Sequence, residues 1–312
     1  MKVHILMSTY NGERFLAQQL DSIIAQTYTD WRLLIRDDGS SDGTRGIIAD
    51  YVAKDERICW VDQDSQENLG VIKSFHRLVK LEDADVYLFS DQDDVWLSDK
   101  VASQLELAQR YPVEEPLLVY MDLKVVDDSL HVLEESMIKR QSHHANTSLE
   151  AILIENTVTG GVTLINHALA QRWTRTDGLI MHDWYLAILA ASLGHLVYLD
   201  QPGELYRQHS QNVVGARTQD KRFKLFREGP RTVYQRYWRH IHEIQDQART
   251  VLAEVGDRLS PDQHAILTNW ISIDQQPLSE RYRRLKTYGY RKNKRLHQLV
   301  FTSLILSKIY HQ

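Results

Sequence analysis

The 312-residue chain has one cysteine, Cys59, so neither a disulfide framework nor a cysteine-based zinc site is available to it. Long apolar runs are missing too. YLAILAASLG and LVFTSLIL are roughly half the about 18 residues that a spanning helix needs. The opening MKVHILMSTYNGERF has a short apolar run broken by polar residues and no small-residue cleavage site, which predicts a strand rather than a signal peptide. An intracellular, cytoplasmic protein that does not cross a membrane is expected. Positive charge is not in excess: Lys+Arg total 37 and Asp+Glu 42, a net charge of −5, so non-specific nucleic-acid binding is not implied. Internal repeats and low-complexity linkers are absent. So are G-x-G-x-x-G after the first apolar run and G-x-x-x-x-G-K-[ST] anywhere. A nucleotide bound here would need a metal to neutralise its diphosphate.

What is present is an ordinary globular composition, 43% hydrophobic and 25% charged, at a length suited to one α/β domain plus an appendage. The charge is unevenly placed. Residues 281–312 carry nine basic residues and no acid, which leaves the rest of the chain at −14.

Up to about residue 125, short apolar runs alternate with amphipathic stretches. VHILM, WRLLIRD, ICWVD, DVYLFS and LLVYM read as strands. Helices are expected over Gly12–Gln26, Asp42–Ala53, Val71–Leu81 and Lys100–Arg110, the second opened by the N-cap candidates Ser40, Ser41 and Asp42. This alternation predicts a mostly parallel sheet covered on both faces, with ligands at the carboxyl ends of its strands. Residues 126–215 are less regular, with a glycine pair at 160–161, an apolar helix over about 183–193 and a short strand pair near 195–207. From about 218 the pattern turns helical. The expected division is 1–215, with a nucleotide-binding part to about 125 and an acceptor part from 126, followed by a helical, basic region over 216–312.

Three segments after strands carry chemistry. Asp91-Gln92-Asp93-Asp94 follows VYLF, and carboxylates gathered at a strand end repel unless a cation or strong donors neutralise them. Hard oxygen ligands suit Mg²⁺ or Mn²⁺. The alternative is capping of the next helix, for which Ser98 or Asp99 already stands ready. Asp37-Asp38-Gly39-Ser40 puts acids before a glycine turn, where a carboxylate can accept the imide N–H of uracil or thymine; an Asx-turn with a helix cap is equally compatible. Ser8-Thr9-Tyr10-Asn11-Gly12 follows the first strand.

STYNGERFL, RDDGSSDGT, ENLG and FSDQDDVW, in this order and spacing, resemble glycosyltransferase family 2, nucleotide-sugar enzymes of the GT-A fold, over roughly residues 1–215. The resemblance implies that Ser8, Thr9, Tyr10 and Glu13 lie under the nucleoside and that Asp38 contacts the base. It also implies that Asp91 lies near the ribose, that Asp93 holds a divalent metal, and that Gln92 belongs to the same donor site. Asn68 and Lys73 match its polar donor contacts loosely. In MHDWYLA the family commonly has Glu-Asp; here it is His182-Asp183, which keeps the acid that serves as catalytic base. N-capping of that helix is the alternative for Asp183. His209 in Tyr206-Arg207-Gln208-His209 matches a histidine that can complete the metal's coordination. Gly160, Gly161, His182 and Trp184 fall on the acceptor side, where absent glycine side chains would leave room for a sugar.

Similarity across STYNGERFLAQQLDSIIAQTY, FSDQDDVW and MHDWYLA is greatest to bacterial rhamnosyltransferases that use dTDP-L-rhamnose for cell-wall and capsular polysaccharides. UDP-hexoses and UDP-N-acetylhexosamines stay open as donors. The implied reaction is inverting transfer onto a glycan, lipid-linked on the cytoplasmic face. A metal-dependent phosphohydrolase would need an Asp nucleophile where Ser-Thr-Tyr-Asn stands. An inactive nucleotide-sugar-binding scaffold is the rival outside catalysis, against which acids at both 93 and 183 argue. The tail pairs Lys and Arg with apolar residues, a pattern suited to an anionic membrane surface. Pairing with the acidic body or with another subunit suits it equally. The helices over about 218–255, with Phe223, Phe226, Tyr234, Tyr237 and Trp238, offer a homodimer interface.

Overall fold

The computed structural model describes residues 1–208 and 229–311. Its first half follows the sequence pattern: β1 (Val3–Thr9), α1 (Leu16–Ile24), β2 (Trp31–Asp37), α2 (Thr44–Lys54), β3 (Ile58–Val61), α3 (Val71–Leu81) and β4 (Val86–Ser90). The four strands run parallel in the order β3-β2-β1-β4. Their unbroken apolar runs arise because both faces are covered. Val3, Ile5 and Met7 of β1 pack with Leu16, Leu20 and Ile23 of α1, whereas Leu6 and Leu34 face Phe75 and Leu78 of α3. A period of two along the strand thus feeds two separate cores.

Beyond β4 come β5 (Val95–Trp96), α4 (Lys100–Ala108), β6 (Leu117–Val126), β7 (Val132–Glu134), α5 (Met137–Gln141), α6 (Leu149–Ile154), β8 (Thr163–Asn166), α7 (His167–Arg172), α8 (His182–Leu193) and β9 (His195–Arg207). The sheet continues β4-β8-β6-β9-β5. β8 is antiparallel to β4 and β6, while β9 is parallel to β6. The expected pair of short strands near 195–207 is instead one 13-residue strand. Its pairing with β6 shifts register twice between Met121 and Lys124, opposite Pro202 and Gly203. Proline has no N–H for the ladder, so a bulge there lets the strand carry on.

Helix starts differ from expectation. α1 begins at Leu16, not Gly12, because Asn11 takes a positive φ of 49° and Gly12–Phe15 form a turn. At α2 the N-cap position is Gly43, and Asp42 serves it from one residue earlier by accepting the Thr44 N–H at 3.0 Å. Asp99 is the N-cap of α4 but makes no side-chain capping bond. Met181 is the N-cap of α8, so Asp183 lies in the first turn and is not its cap.

The C-terminal helices are α9 (Pro230–Val255), α10 (Pro261–Ile271), α11 (Leu278–Thr287) and α12 (Arg295–Ser307). Trp238, Ile241, Ile244, Ala248 and Val251 form one face of α9 and join the core that holds Trp184–Ala190 of α8. Trp238 is only 2% exposed, so it is core and not available to a partner; Phe223 and Phe226 lie outside the described residues. The basic tail is anchored mainly by carbonyls. The buried Arg281 donates to Leu306 O, Lys294 to Arg140 O and Lys292 to Ile154 O, while Arg283 and Arg284 pair with Glu280. Leu296 and Leu299 of α12 are left 69% and 68% exposed on the helix that Arg295 opens, with Arg291 a few residues earlier in the chain.

Candidate active site

Parallel strands deliver their carboxyl ends to one edge, and the post-strand segments meet there as expected. The β1 and β4 ends are joined by Gln92, whose amide accepts from Tyr10 N–H at 2.8 Å and donates to Tyr10 O at 2.9 Å. Gln92 thereby ties the two strand ends to each other. Thr9 is buried, its hydroxyl donating to Asp37 Oδ1 at 3.0 Å; Ser8 is half-buried and Tyr10 is exposed. Glu13 Oε2 accepts from the Gly43 N–H at 2.7 Å, which commits this carboxylate to the start of α2.

Asp38 is equally committed. It is 3% exposed, is paired with Arg36, and accepts from Leu69 N–H at 2.7 Å, Gly70 N–H at 2.8 Å and Ser74 Oγ at 3.0 Å. Both its oxygens hold the start of α3, so the structure presents Asp38 to the protein rather than to an open cleft. Gly39, at φ +86°, is what lets the turn pass: a Cβ there would stand 2.7 Å from Gln66 O. Asn68 is exposed in the loop before α3, and Lys73 Nζ lies 3.1 Å from Asp177 Oδ1, bridging α3 to the loop before α8.

The acidic cluster is larger than the sequence segment alone. β5 pairs antiparallel with β9, Val95 opposite Leu205, and this sets Asp94 against Glu204 and Arg207. Asp94 Oδ1 accepts the Arg207 N–H at 2.9 Å, and Arg207 Nε donates to Asp93 O at 2.9 Å. Glu204 meets Lys100 Nζ at 3.1 Å, with neither side chain exposed. Burial, then the charge of Glu204, holds the Asp94 carboxyl well above its ordinary range, and it donates to Glu204. A proton kept by Asp94 accounts for its Oδ2 and Glu204 Oε1, which have no other donor. Asp91 is pushed up to about 8, first by burial and then by the charges of Asp93, Glu204 and Asp183. Lys100 is pulled down to about 8 by burial, against the pull of Glu204.

Asp183 belongs to this cluster through its field on Asp91. The residue is 8% exposed, and its carboxyl is raised to about 7 by burial, against backbone donors at Trp184 and Gly160. A carboxylate of that pKa is poised to take a proton near neutrality. His182 is a different matter. Its ring lies among Phe75, Phe89 and Trp173, neither nitrogen has a partner, and burial lowers it to about 3. It is a neutral packing group next to Asp183 in the chain.

The glycine pair does not hold open a sugar-sized space. A Cβ on Gly160 would stand 3.1 Å from His182 Nε2, and one on Gly161 would stand 2.7 Å from Glu204 Oε1. These glycines admit the buried side chains, and Lys100 also donates to Gly161 O. Trp184 is 5% exposed in the larger core, its indole N–H donating to Ile152 O at 2.7 Å, so it is not open to an acceptor.

A divalent cation fits this donor set. Burial, and after it the charges of neighbouring acids, raises Asp91 and Asp94, and Mg²⁺ characteristically takes one or two carboxylates together with substrate phosphates. His209 lies outside the described residues. Sequence reasoning passed over Lys100 and Glu204 as site residues. The available signal was an acid within the strand segment HLVYLDQPGELYR, since a charge that becomes buried requires a partner.

Residues 4–134 match the family model for glycosyl transferase family 2. The chain is 28% identical over 223 residues to the dTDP-rhamnosyl transferase RfbG of Shigella flexneri, an alignment covering 67% of this chain and 74% of that protein. Two further curated relatives align over 40% of their own lengths. Among solved structures, S. aureus TarS 1–349 in complex with UDP-GlcNAc superposes at TM-score 0.55 and 14% identity, covering 99% of this chain and 83% of the TarS 1–349 chain. The mannosyltransferase PcManGT from Pyrobaculum calidifontis, in complex with GDP-Man and Mn²⁺, gives 0.53 and 15%, covering 99% and 81%. At these identities the structural likeness establishes the GT-A fold.

Proposed function

We propose that this chain, a glycosyltransferase whose residues 4–134 form a family 2 domain on a GT-A fold, moves L-rhamnose from dTDP-L-rhamnose onto a growing, lipid-linked polysaccharide with inversion. The observation that carries the transferase chemistry is Asp183, a buried carboxyl raised to about 7 beside the carboxylates of the donor edge. As the acceptor oxygen attacks the anomeric carbon, Asp183 takes its proton, the new glycosidic bond forms, and the bond to the diphosphate oxygen breaks. No covalent enzyme intermediate is needed. Asp93 would hold Mg²⁺ or Mn²⁺, which when bound supplies positive charge to the departing diphosphate. Arg207, through Asp93 O and Asp94, fixes the backbone that carries that carboxylate.

The rhamnose donor is supported by the similarity to RfbG across two thirds of the chain. Placement at the inner face of the plasma membrane is supported by Leu296 and Leu299, exposed on the helix that Arg295 opens, with Arg291 a few residues earlier in the chain. No helix among the described residues is long and apolar enough to cross a membrane. The test is a donor screen. dTDP-L-rhamnose is compared with UDP-hexoses and UDP-N-acetylhexosamines, with and without Mg²⁺ or Mn²⁺, by nucleoside-diphosphate release and thermal stabilisation. A metal-dependent response confined to dTDP-L-rhamnose supports the reading. A response confined to a UDP-sugar overturns the donor and keeps the transferase.

A further inference from the structure

Far from the strand ends, three side chains from separate parts of the C-terminal region converge. His242 lies on α9, Asp274 on the 3₁₀ turn Ile273–Gln275 after α10, and His311 beyond α12. One ligand atom from each lies within 4.8 Å of the others. His311 Nε2 is 3.1 Å and His242 Nε2 3.9 Å from the same oxygen, Asp274 Oδ2. Ligand atoms around a tetrahedral Zn²⁺, at metal–ligand distances of about 2.0–2.2 Å, are themselves about 3.3 Å apart. Two of the three separations therefore bracket the required value, and the third is within 4.8 Å.

The surroundings support the ligands in the way a metal site needs. Gln245 Nε2 donates to the other carboxylate oxygen, Asp274 Oδ1, at 2.8 Å and so directs Oδ2 toward the histidines. Trp238 packs against both imidazoles, with ring centroids 5.7 Å from His242 and 4.4 Å from His311. Its indole N–H donates to Ile309 O at 2.9 Å, which fixes the backbone just before His311. Asp274 is 9% exposed, His311 20% and His242 40%, so one side of the group opens to water.

We propose that His242, Asp274 and His311 form a Zn²⁺ site with water as the fourth ligand. Two imidazoles and one carboxylate are a donor set for a borderline ion, not for Mg²⁺, which prefers oxygen. The bound ion clasps the segment after α12 to α9 and the turn after α10, holding the basic helix on the domain. It is separate from the metal proposed at Asp93 and does not depend on the sugar-transfer reading.

The experiment uses the full, tag-free chain, stripped by a chelator, in wild-type form and with Asp93→Asn. Zn²⁺ is titrated in competition with a chromophoric chelator. Both proteins are expected to take up Zn²⁺ at this site. His242→Ala and His311→Ala, each in the Asp93→Asn background, are expected to weaken it by more than the about 10–100-fold that loss of a supporting partner costs. Co²⁺ in the Asp93→Asn chain should give the intense visible bands of tetrahedral coordination, a readout that needs no histidine variant to fold. Absence of saturable Zn²⁺ binding in the Asp93→Asn chain overturns the proposal, as does undiminished affinity in both histidine variants.

Discussion

Lys100 Nζ lies 3.1 Å from Glu204 Oε2, with both side chains wholly out of solvent and the ammonium 3.6 Å from the centroid of the Trp96 ring. Lys100 opens α4 and Glu204 sits near the end of β9, so the pair ties the acidic edge of the sheet to its far strand. Removing one partner leaves a buried charge uncompensated. Lys100→Met is expected to destabilise the chain by about 3–5 kcal/mol in chemical denaturation. Adding Glu204→Gln should return a large part of that loss, and simple additivity of the two single effects would show that the pair is not coupled.

Asp183→Asn is expected to leave nucleotide-sugar binding intact and to lower turnover by about 10²–10⁴-fold, the range for a positioned base. The free carboxyl titrates near 7, and the base works only when deprotonated. The wild-type kcat/KM should therefore fall about tenfold per pH unit on the acid side of that value. A flat profile between pH 5 and 8 would remove Asp183 from this role.

Asp93→Asn should abolish the metal-dependent part of donor binding while leaving the fold unchanged. Chelation of the wild-type enzyme should reproduce that loss, and readdition of Mg²⁺ or Mn²⁺ should reverse it. Calorimetric titration of the donor with and without the ion checks both.

Gly161 and Gly46 should respond in opposite directions to alanine. A Cβ at 161 meets Glu204 Oε1 at 2.7 Å inside a filled network, so Gly161→Ala should cost about 1–3 kcal/mol. At Gly46, on the exposed side of α2, a Cβ has nothing within 4 Å, and alanine should stabilise by about 0.5–1 kcal/mol. Paired melting curves would settle the comparison.

Burial holds His182 neutral, its pKa lowered from 6.5 to about 3. As pH falls below 6.5 the unfolded chain takes up a proton that the folded chain refuses, so this group's contribution to stability is lost with acidification. The slope approaches about 1.4 kcal/mol per pH unit. His182→Met should be less sensitive to acid than wild type between pH 6 and 4. Parallel stability profiles would mean that the imidazole is protonated in place.

The strands β1 to β4, their helices and the acids that follow them were legible in the chain because they follow from local periodicity, whereas their order in the sheet was not. Each apolar run is contiguous, and each chemical segment comes directly after it. The placement of Asp91 and Asp93 just after β4 follows from that regularity. The partners of those acids did not. Glu204 is separated from Lys100 by 104 residues, and only the antiparallel seating of β5 on β9 sets it beside Asp94. The commitment of Asp38 to Arg36 and the start of α3, the filling of the glycine pair by His182 and Glu204, and the meeting of His242, Asp274 and His311 are likewise products of packing. Sequence pattern determines which faces are buried. It carries no record of which distant charges a fold brings into one low-dielectric space, and there burial and pairing set the protonation states on which the chemistry depends.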